Sequence, residues 1–334
     1  MPQHELTADR GDAGRRLDLV LSRHLAGLEA ASRTRIQRWI ADGRVEVNGA
    51  AARRVSRHIA VGDRVTVALP SDVLGEPMAA ESAPVAVCYE DEHLLVVDKA
   101  PGVVCHPTHA HAAGTLINAL LWRARDWPAG QRPSLVGRLD KWTSGLVLIA
   151  KTARMHAQLQ RTLASPDSVK EYVALVYGPM SPARGQISLR LSRDRVDRRR
   201  VAASTSAGAF SLTTYERMTA IGVPGATVTI VRCRIATGRT HQIRVHLAAR
   251  GWPVVGDPVY GEPRWGDVVD PELSALLAAF PRQALHASRL VFDHPQTGHR
   301  VDVECALPED MSGLLNGLGL APPRPEGDSV CDAI

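Results

Sequence analysis

Among the five cysteines of this 334-residue chain (Cys88, Cys105, Cys233, Cys305 and Cys331) there is no Cys-x-x-Cys pair. An odd, scattered set argues against a disulfide framework and against a thiolate zinc site. The histidines His106, His109 and His111, and the pair His241 and His246, show no His-Glu-x-x-His pattern, so a metal centre has no sequence support. The Gly-rich phosphate loop ending in Gly-Lys-Ser/Thr is missing, which removes the usual signature of nucleotide hydrolysis. The His-x-Glu and Pro-Cys-x-x-Cys signature of zinc deaminases is missing as well. No apolar run approaches the roughly 18 residues that span a bilayer. The first residues, "MPQHELTADRGDAGRR", lack the apolar centre of a secretory signal. These absences predict a cytoplasmic, reduced protein that uses no metal, nucleotide or other cofactor and contacts no membrane. Internal repeats are absent too.

What is present is unevenly distributed. The formal net charge is +5, which is compatible with a polyanionic partner without identifying one. Residues 15–69 alone hold 11 Arg against 5 Asp and Glu. "RRLDLVLSRHLAGL" places Leu17, Leu21, Leu25 and Leu28 on one helical stripe. "SRTRIQRWIADGR" predicts a second helix, capped by Ser32 and ended by Gly43. The stretch after it alternates like short strands, with Asn48-Gly49 as a hairpin signal. Arg33, Arg35 and Arg38, with Arg53, Arg54 and Arg57, form either a phosphate-binding face or a solvated one.

Residues 14–69 are therefore expected to form one small domain. Residues 70–84 read as a Pro/Ala/Ser-rich linker, and residues 85–310 as a larger domain in which strands and helices mix without regular alternation. That pattern predicts an α+β fold on a mixed, largely antiparallel central sheet with flanking helices. Residues 311–334 read as a flexible tail.

Three stretches of the larger domain carry candidate chemistry. "GRLDKWTSGLVLIAK" sets Asp140 between Arg138 and Lys141 at the start of an apolar strand. "KEYVALVYG" places Tyr172 in another strand, and "TGRTHQIRVHLAARGWPVVGDPVYG" concentrates Arg239, His241, Arg244 and several glycines. Taken singly each has an ordinary explanation: a turn Asp bonding its own backbone, a packing Tyr, a structural Arg–Asp pair. Likewise "RDRVDRRR", residues 193–200, is either a solvated loop or a grip on a nucleic-acid backbone.

Read together, these motifs and "RQALHASRLVFDHPQTG" resemble the RluA-type pseudouridine synthases over about residues 85–310. The first domain resembles the S4-type RNA-binding domain. The combination is most similar to the branch acting on large-subunit ribosomal RNA. The resemblance implies an isomerase that converts uridines in RNA to pseudouridine, an RNA partner (ribosomal first, transfer RNA second), a monomer and no cofactor.

It further implies Asp140 as nucleophile, Tyr172 packed against the target base, and Arg244 paired with Asp140. Arg138 would fill the space left by the flipped nucleotide, and Arg239, Arg33, Arg35 and Arg38 would bind RNA. A guanidinium within a few ångströms lowers a carboxylate pKa by about 1–3 units, so a buried nucleophilic carboxylate needs one. Leu146, Val147 and Leu148 are expected to wall the cleft against water. One departure stands out: family members usually have His where this chain has Gly137. Two other readings are a non-catalytic RNA-binding assembly factor and an N-glycosylase, for which Asp98 is the nearest candidate second carboxylate.

Overall fold

The computed structural model describes residues 3–25, 31, 33–69, 78–108, 111–194, 196–197, 199–223, 225–261 and 264–323. The chain divides into two compact units, residues 1–79 and 80–334. None of the described helices is long and apolar enough to cross a membrane.

The first unit combines α1 (Leu17–His24) and α2 (Arg33–Ala41) with a sheet of β1 (Gln3–Thr7), β2 (Val45–Val47), β3 (Ala50–Ala51) and β4 (Arg64–Ala68) in the order β1-β4-β2-β3. Leu17, Leu21 and Leu25 are buried with Ile36 and Ile40, as their spacing predicts. Leu28 and the proposed cap Ser32 lie outside the described residues. Asn48 and Gly49 both take positive φ, 54° and 78°, which is the twist a two-residue hairpin loop needs to join β2 and β3.

The expected start at residue 14 is too late. Gln3–Thr7 pairs antiparallel with β4 along its whole length, a five-residue strand that a search for signal peptides passes over. Two fully buried carboxylates stitch this unit together. Asp12 accepts from Arg23 at 2.7 Å and His24 at 2.8 Å, and Asp18 from Arg16 at 3.0 Å and Gln37 at 2.9 Å.

The second unit is an α+β fold on a sheet of eleven described strands. Its path is β11 (Val201–Ser204), β10 (Arg184–Arg193), β12 (Ala209–Val223), β13 (Ala226–Ile235), β9 (Val169–Tyr177), β14 (Leu285–Asp293), β8 (Ser144–Ala150), β6 (Leu94–Lys99) and β5 (Ala86–Glu90), with β7 (Ser134–Leu135) and β15 (Arg300–Glu304) at its margins. Every pairing is antiparallel except β14 with β8. Helices α3 (Leu116–Arg123), α4 (Ala153–Thr162), α5 (Gln242–Ala249) and α6 (Pro271–Ala279) flank it. The largest apolar cluster packs Val173–Tyr177 and Val228–Val231 against α5 and α6.

Two expectations fail here. The residues from Met311 are not a loose tail as far as Leu320: α7 (Glu309–Gly317) buries Met311, Leu314, Leu315 and Leu318. Their i, i+3, i+4, i+7 spacing is a helical stripe that the surrounding Gly and Pro content masks. The rest of the predicted tail from residue 324 lies outside the described residues, as do residues 70–77 of the predicted linker. Glu81, placed in that linker, is held by the larger unit: its N–H donates to Asn118 O at 3.0 Å, and its carboxylate accepts from Gly114 N at 2.9 Å. Cys105, Cys233 and Cys305 are buried free thiols.

Candidate active site

Asp140 sits on the loop that leads into β8, and that loop is fastened residue by residue. The Cys105 thiol exchanges hydrogen bonds with Leu139 N and O, both at 3.4 Å. Gly102 N and the Lys99 ammonium donate to Lys141 O at 2.9 Å and 3.2 Å. Arg282 Nη1 donates to Trp142 O at 3.0 Å, and Gln283 Nε2 to Thr143 Oγ1 at 3.2 Å.

Lys99 also donates to Ala100 O and Val103 O, and its burial brings its pKa down to about 8. A fully buried ammonium is tolerable only with such donors' partners in place. The loop then enters the sheet beside β14 so closely that a Cβ on Gly145 would stand 2.3 Å from Ala287 O, at φ +108°. Only glycine fits there.

Arg244 comes from the first turn of α5, where a cation opposes the helix dipole and needs anionic partners. It has two. Asp257 grips it with a fork, Nε to Oδ2 at 2.7 Å and Nη2 to Oδ1 at 2.8 Å, and Nη1 donates to Asp140 Oδ2 at 2.9 Å. The Arg244 side chain is only 4% exposed and that of Asp257 is sealed, whereas Asp140 keeps 23% of its side chain open to the cleft. Burial works against the Arg244 charge, but the bonds to and charges of Asp257 and Asp140 outweigh it and hold its pKa well above the ordinary value. Burial likewise raises the Asp257 carboxyl, and Arg244 with the N–H groups of Val259 and Tyr260 brings it below the usual range.

His241 stands beside the same carboxylate. It caps α5 in the left-handed region, φ 54°, with Nε2 3.9 Å from Asp140 Oδ2. Burial lowers its pKa, only partly offset by the Asp140 charge, so the imidazole is neutral. Tyr260 Oη accepts from Val201 N at 2.7 Å, which leaves the phenolic proton for His241 Nδ1 at 2.8 Å. The turn before α5 is braced by buried Gln242, whose Oε1 accepts from Thr237 Oγ1 and Arg239 N.

Asp140, Tyr172, Arg244, Arg138 and Arg239 all line one cavity of about 510 Å³. It shares Val136, Gly137, Arg138, Leu139 and Tyr172 with an adjoining cavity of about 320 Å³, whose wall includes Leu146, Val147 and Leu148. Tyr172 projects from β9 into both. Burial, with the Asp140 charge second, raises its hydroxyl pKa, so the phenol stays protonated. Arg138 is exposed, and among the described residues no carboxylate is recorded with it. Among the described residues, Asp140 is the one carboxylate lining the larger cavity. Asp98 lines neither cavity; its charge acts instead on His286 and Cys305.

Arg33, Arg35 and Arg38 belong to the other unit. Arg33 is drawn to buried Asp18, Nη2 to Oδ2 at 3.3 Å, so part of its charge is spent inside the fold. Arg38 is 81% exposed and only loosely paired with Asp42, at 3.9 Å. Arg53, Arg54 and Arg57 converge on a separate surface concavity of that unit. Sequence reasoning did not single out Asp257, Tyr260 or Lys99, and it weighed His241 only as a metal ligand. Asp257 carried a readable signal, a lone acid in the apolar, Gly-rich "VVGDPVYG".

Comparison with known proteins follows the same division. A family model described as RNA pseudouridylate synthase matches residues 93–249, and an S4 domain model matches residues 15–65. A ribosomal large subunit pseudouridine synthase D of Pseudomonas aeruginosa is 40% identical over 289 residues, covering 86% of this chain and 88% of that protein. An uncharacterized RNA pseudouridine synthase of Bacillus subtilis is 38% identical over 326 residues, 95% of this chain and 99% of its own. Among solved structures, human RNA pseudouridylate synthase domain containing 4 superposes with a TM-score of 0.57 at 23% identity, over 72% of this chain and 95% of that one. That likeness speaks to the fold.

Proposed function

The chain belongs to the RNA pseudouridine synthase family of isomerases, and from that premise we propose that it converts specific uridines of large-subunit ribosomal RNA to pseudouridine with Asp140 as the nucleophile. The observation that carries this reading is the Asp140–Arg244–Asp257 chain, set in a cleft that Tyr172 also lines. The relatives named for the ribosomal large subunit support the choice of RNA.

The reaction breaks the N-glycosidic bond, turns the base, joins a ring carbon to the ribose and releases the proton that carbon held. Atoms balance without an oxidant or a second substrate. It calls for a group that bonds to the nucleotide and departs again, as a carboxylate can. Arg244 holds that carboxylate in place with one N–H and leaves its other oxygen open to the cleft. Tyr172 offers a flat face for the base and a neutral hydroxyl at its tip. Flipping the uridine out of its stack costs a few kcal/mol, and Arg138, charged and exposed at the cleft rim, is placed to occupy the gap and hold phosphate. The apolar wall of Leu146, Val147 and Leu148 excludes water that would otherwise capture the cleaved ribose. The S4-type unit docks the RNA, and the protein acts in the cytoplasm.

Asp140→Asn tests the reading. With ribosomal RNA tritiated at the uridine carbon that forms the new bond, the variant should release tritium slower by several orders of magnitude while binding RNA as tightly as the wild type. Wild-type release rates in that variant would sink the assignment. Conversion of transfer RNA in preference to ribosomal RNA would redirect the substrate and leave the chemistry standing.

A further inference from the structure

Beside the catalytic cleft lies a second concavity, of about 370 Å³, that the proposed chemistry does not use. Its walls include Arg193, Arg199, Arg200 and Arg239, with no carboxylate among the described residues that line it, and it meets the cleft along Arg239, Thr240 and His241, which line both. Arg199 is committed locally, bidentate to Asp197 at 2.8 Å and 3.0 Å. Arg193, by contrast, has no acidic partner recorded among the described residues. Among the described residues Arg239 donates only its side-chain Nε, to Phe210 O at 3.3 Å, which leaves its outer nitrogens for a ligand.

The connection between the two concavities is made of named bonds. Arg200 packs over the Tyr260 ring at 5.4 Å, and Arg244 packs over that ring at 5.2 Å. The same Tyr260 hydroxyl ties Val201, on edge strand β11, to His241 beside Asp140. Val201, the first residue of β11, is thereby tied to the histidine that stands 3.9 Å from Asp140.

We propose that this concavity is a subsite for a phosphodiester of the substrate strand next to the flipped uridine, gripped by Arg193, Arg200 and Arg239. The inference rests on the RNA-modifying reading above. Arg200 also feels the charges of Asp194 and Asp197, but neither carboxylate is among the described residues that line the concavity, and several guanidinium groups sharing one wall match a singly charged, oxygen-rich ligand. The spacing shared with the cleft makes a neighbouring backbone phosphate the ligand already delivered with the target. Anchoring through Tyr260 and His241 means that seating this phosphate also fixes the strand against Asp140.

The test uses the full-length protein and the ribosomal RNA segment that the wild type converts, with single methylphosphonate replacements at each phosphate flanking the target. In wild type, one replacement should weaken binding about tenfold more than the others. Arg193→Ala/Arg200→Ala should lose about as much on unmodified RNA, and the sensitive replacement should then cost nothing further. Arg200→Lys, which keeps a cation over Tyr260, should restore part of the loss and guards against a merely loosened turn. Equal, additive penalties at every phosphate in both proteins, or unchanged binding by the double variant, would overturn the subsite. Pseudouridine formation by wild type in the same RNA is scored separately: its absence would overturn the underlying reading instead.

Discussion

The two units bury arginine–carboxylate pairs for opposite ends. In the first, Asp12 and Asp18 are sealed and every oxygen is consumed by Arg23, His24, Arg16, Arg33 or Gln37, so the pairs do nothing but hold two helices and a strand turn together. In the second, Asp257 is sealed in the same way but its guanidinium partner is shared with Asp140, which stays open to a cavity. A buried ion pair by itself says little about function; what distinguishes the second unit is a pair with one unspent end facing a concavity.

The sharpest way to break that contrast is Asp257→Ala. It strands a buried guanidinium, and removing one member of a buried pair costs about 3–5 kcal/mol. We expect a marked loss of thermal stability in the larger unit and turnover down by at least about a hundredfold. An unaffected rate would mean that Arg244 does not need its clamp.

Acid should separate the units next. His246 and His286 are fully buried in the larger unit and burial brings both pKa values from the ordinary 6.5 to about 4. The unfolded chain takes up these protons more readily than the fold, so the stability they leave intact above pH 6.5 is lost as the pH falls toward 4, by on the order of 3 kcal/mol each. In the smaller unit the hydrogen bonds from His24, the Asp9 N–H and Arg23 outweigh burial and bring Asp12 to about 2, so its contribution holds until the pH drops below 3.8. Hydrogen exchange across pH 7 to 4 should show the larger unit loosening first, and the reverse order would contradict the comparison.

A smaller effect is expected on RNA affinity alone. Arg53→Ala/Arg54→Ala/Arg57→Ala should weaken binding and flatten its salt dependence by up to about 0.9 per lost phosphate contact, without altering the rate of tritium release at saturating RNA. A slower saturated rate would place these arginines in the chemistry. Smallest of all is Gly137→His. A Cβ there meets nothing within 4 Å and the glycine has no positive φ, so stability should shift by no more than about 0.5 kcal/mol. Thermal melting checks it.

How much of this was legible beforehand depended on whether a feature is local. The helical stripe of Leu17, Leu21 and Leu25, the Asn48-Gly49 turn, and the strand carrying Tyr172 are written in consecutive residues, and the structure has them. The α+β class follows from the same local patterns. Asp140, Tyr172, Arg244, Arg138 and Arg239 were named through a resemblance, and they share one cavity. What stayed hidden depends on contacts distant in sequence. Lys99 reaches Lys141, Arg282 reaches Trp142, and Arg282 is itself held by Asp310 of α7 at 2.6 Å. That last bond explains why the residues after 310 are part of the folded unit, which their composition conceals.

The shared guanidinium has one more consequence. At rest, Asp140, Arg244 and Asp257 together carry one surplus negative charge. In the proposed cycle, once Asp140 is tied up as an ester with the nucleotide its negative charge has passed to the base, and Arg244 remains matched by Asp257. No step therefore strands the guanidinium without a counter-charge, and the carboxylate can come back to the place it left.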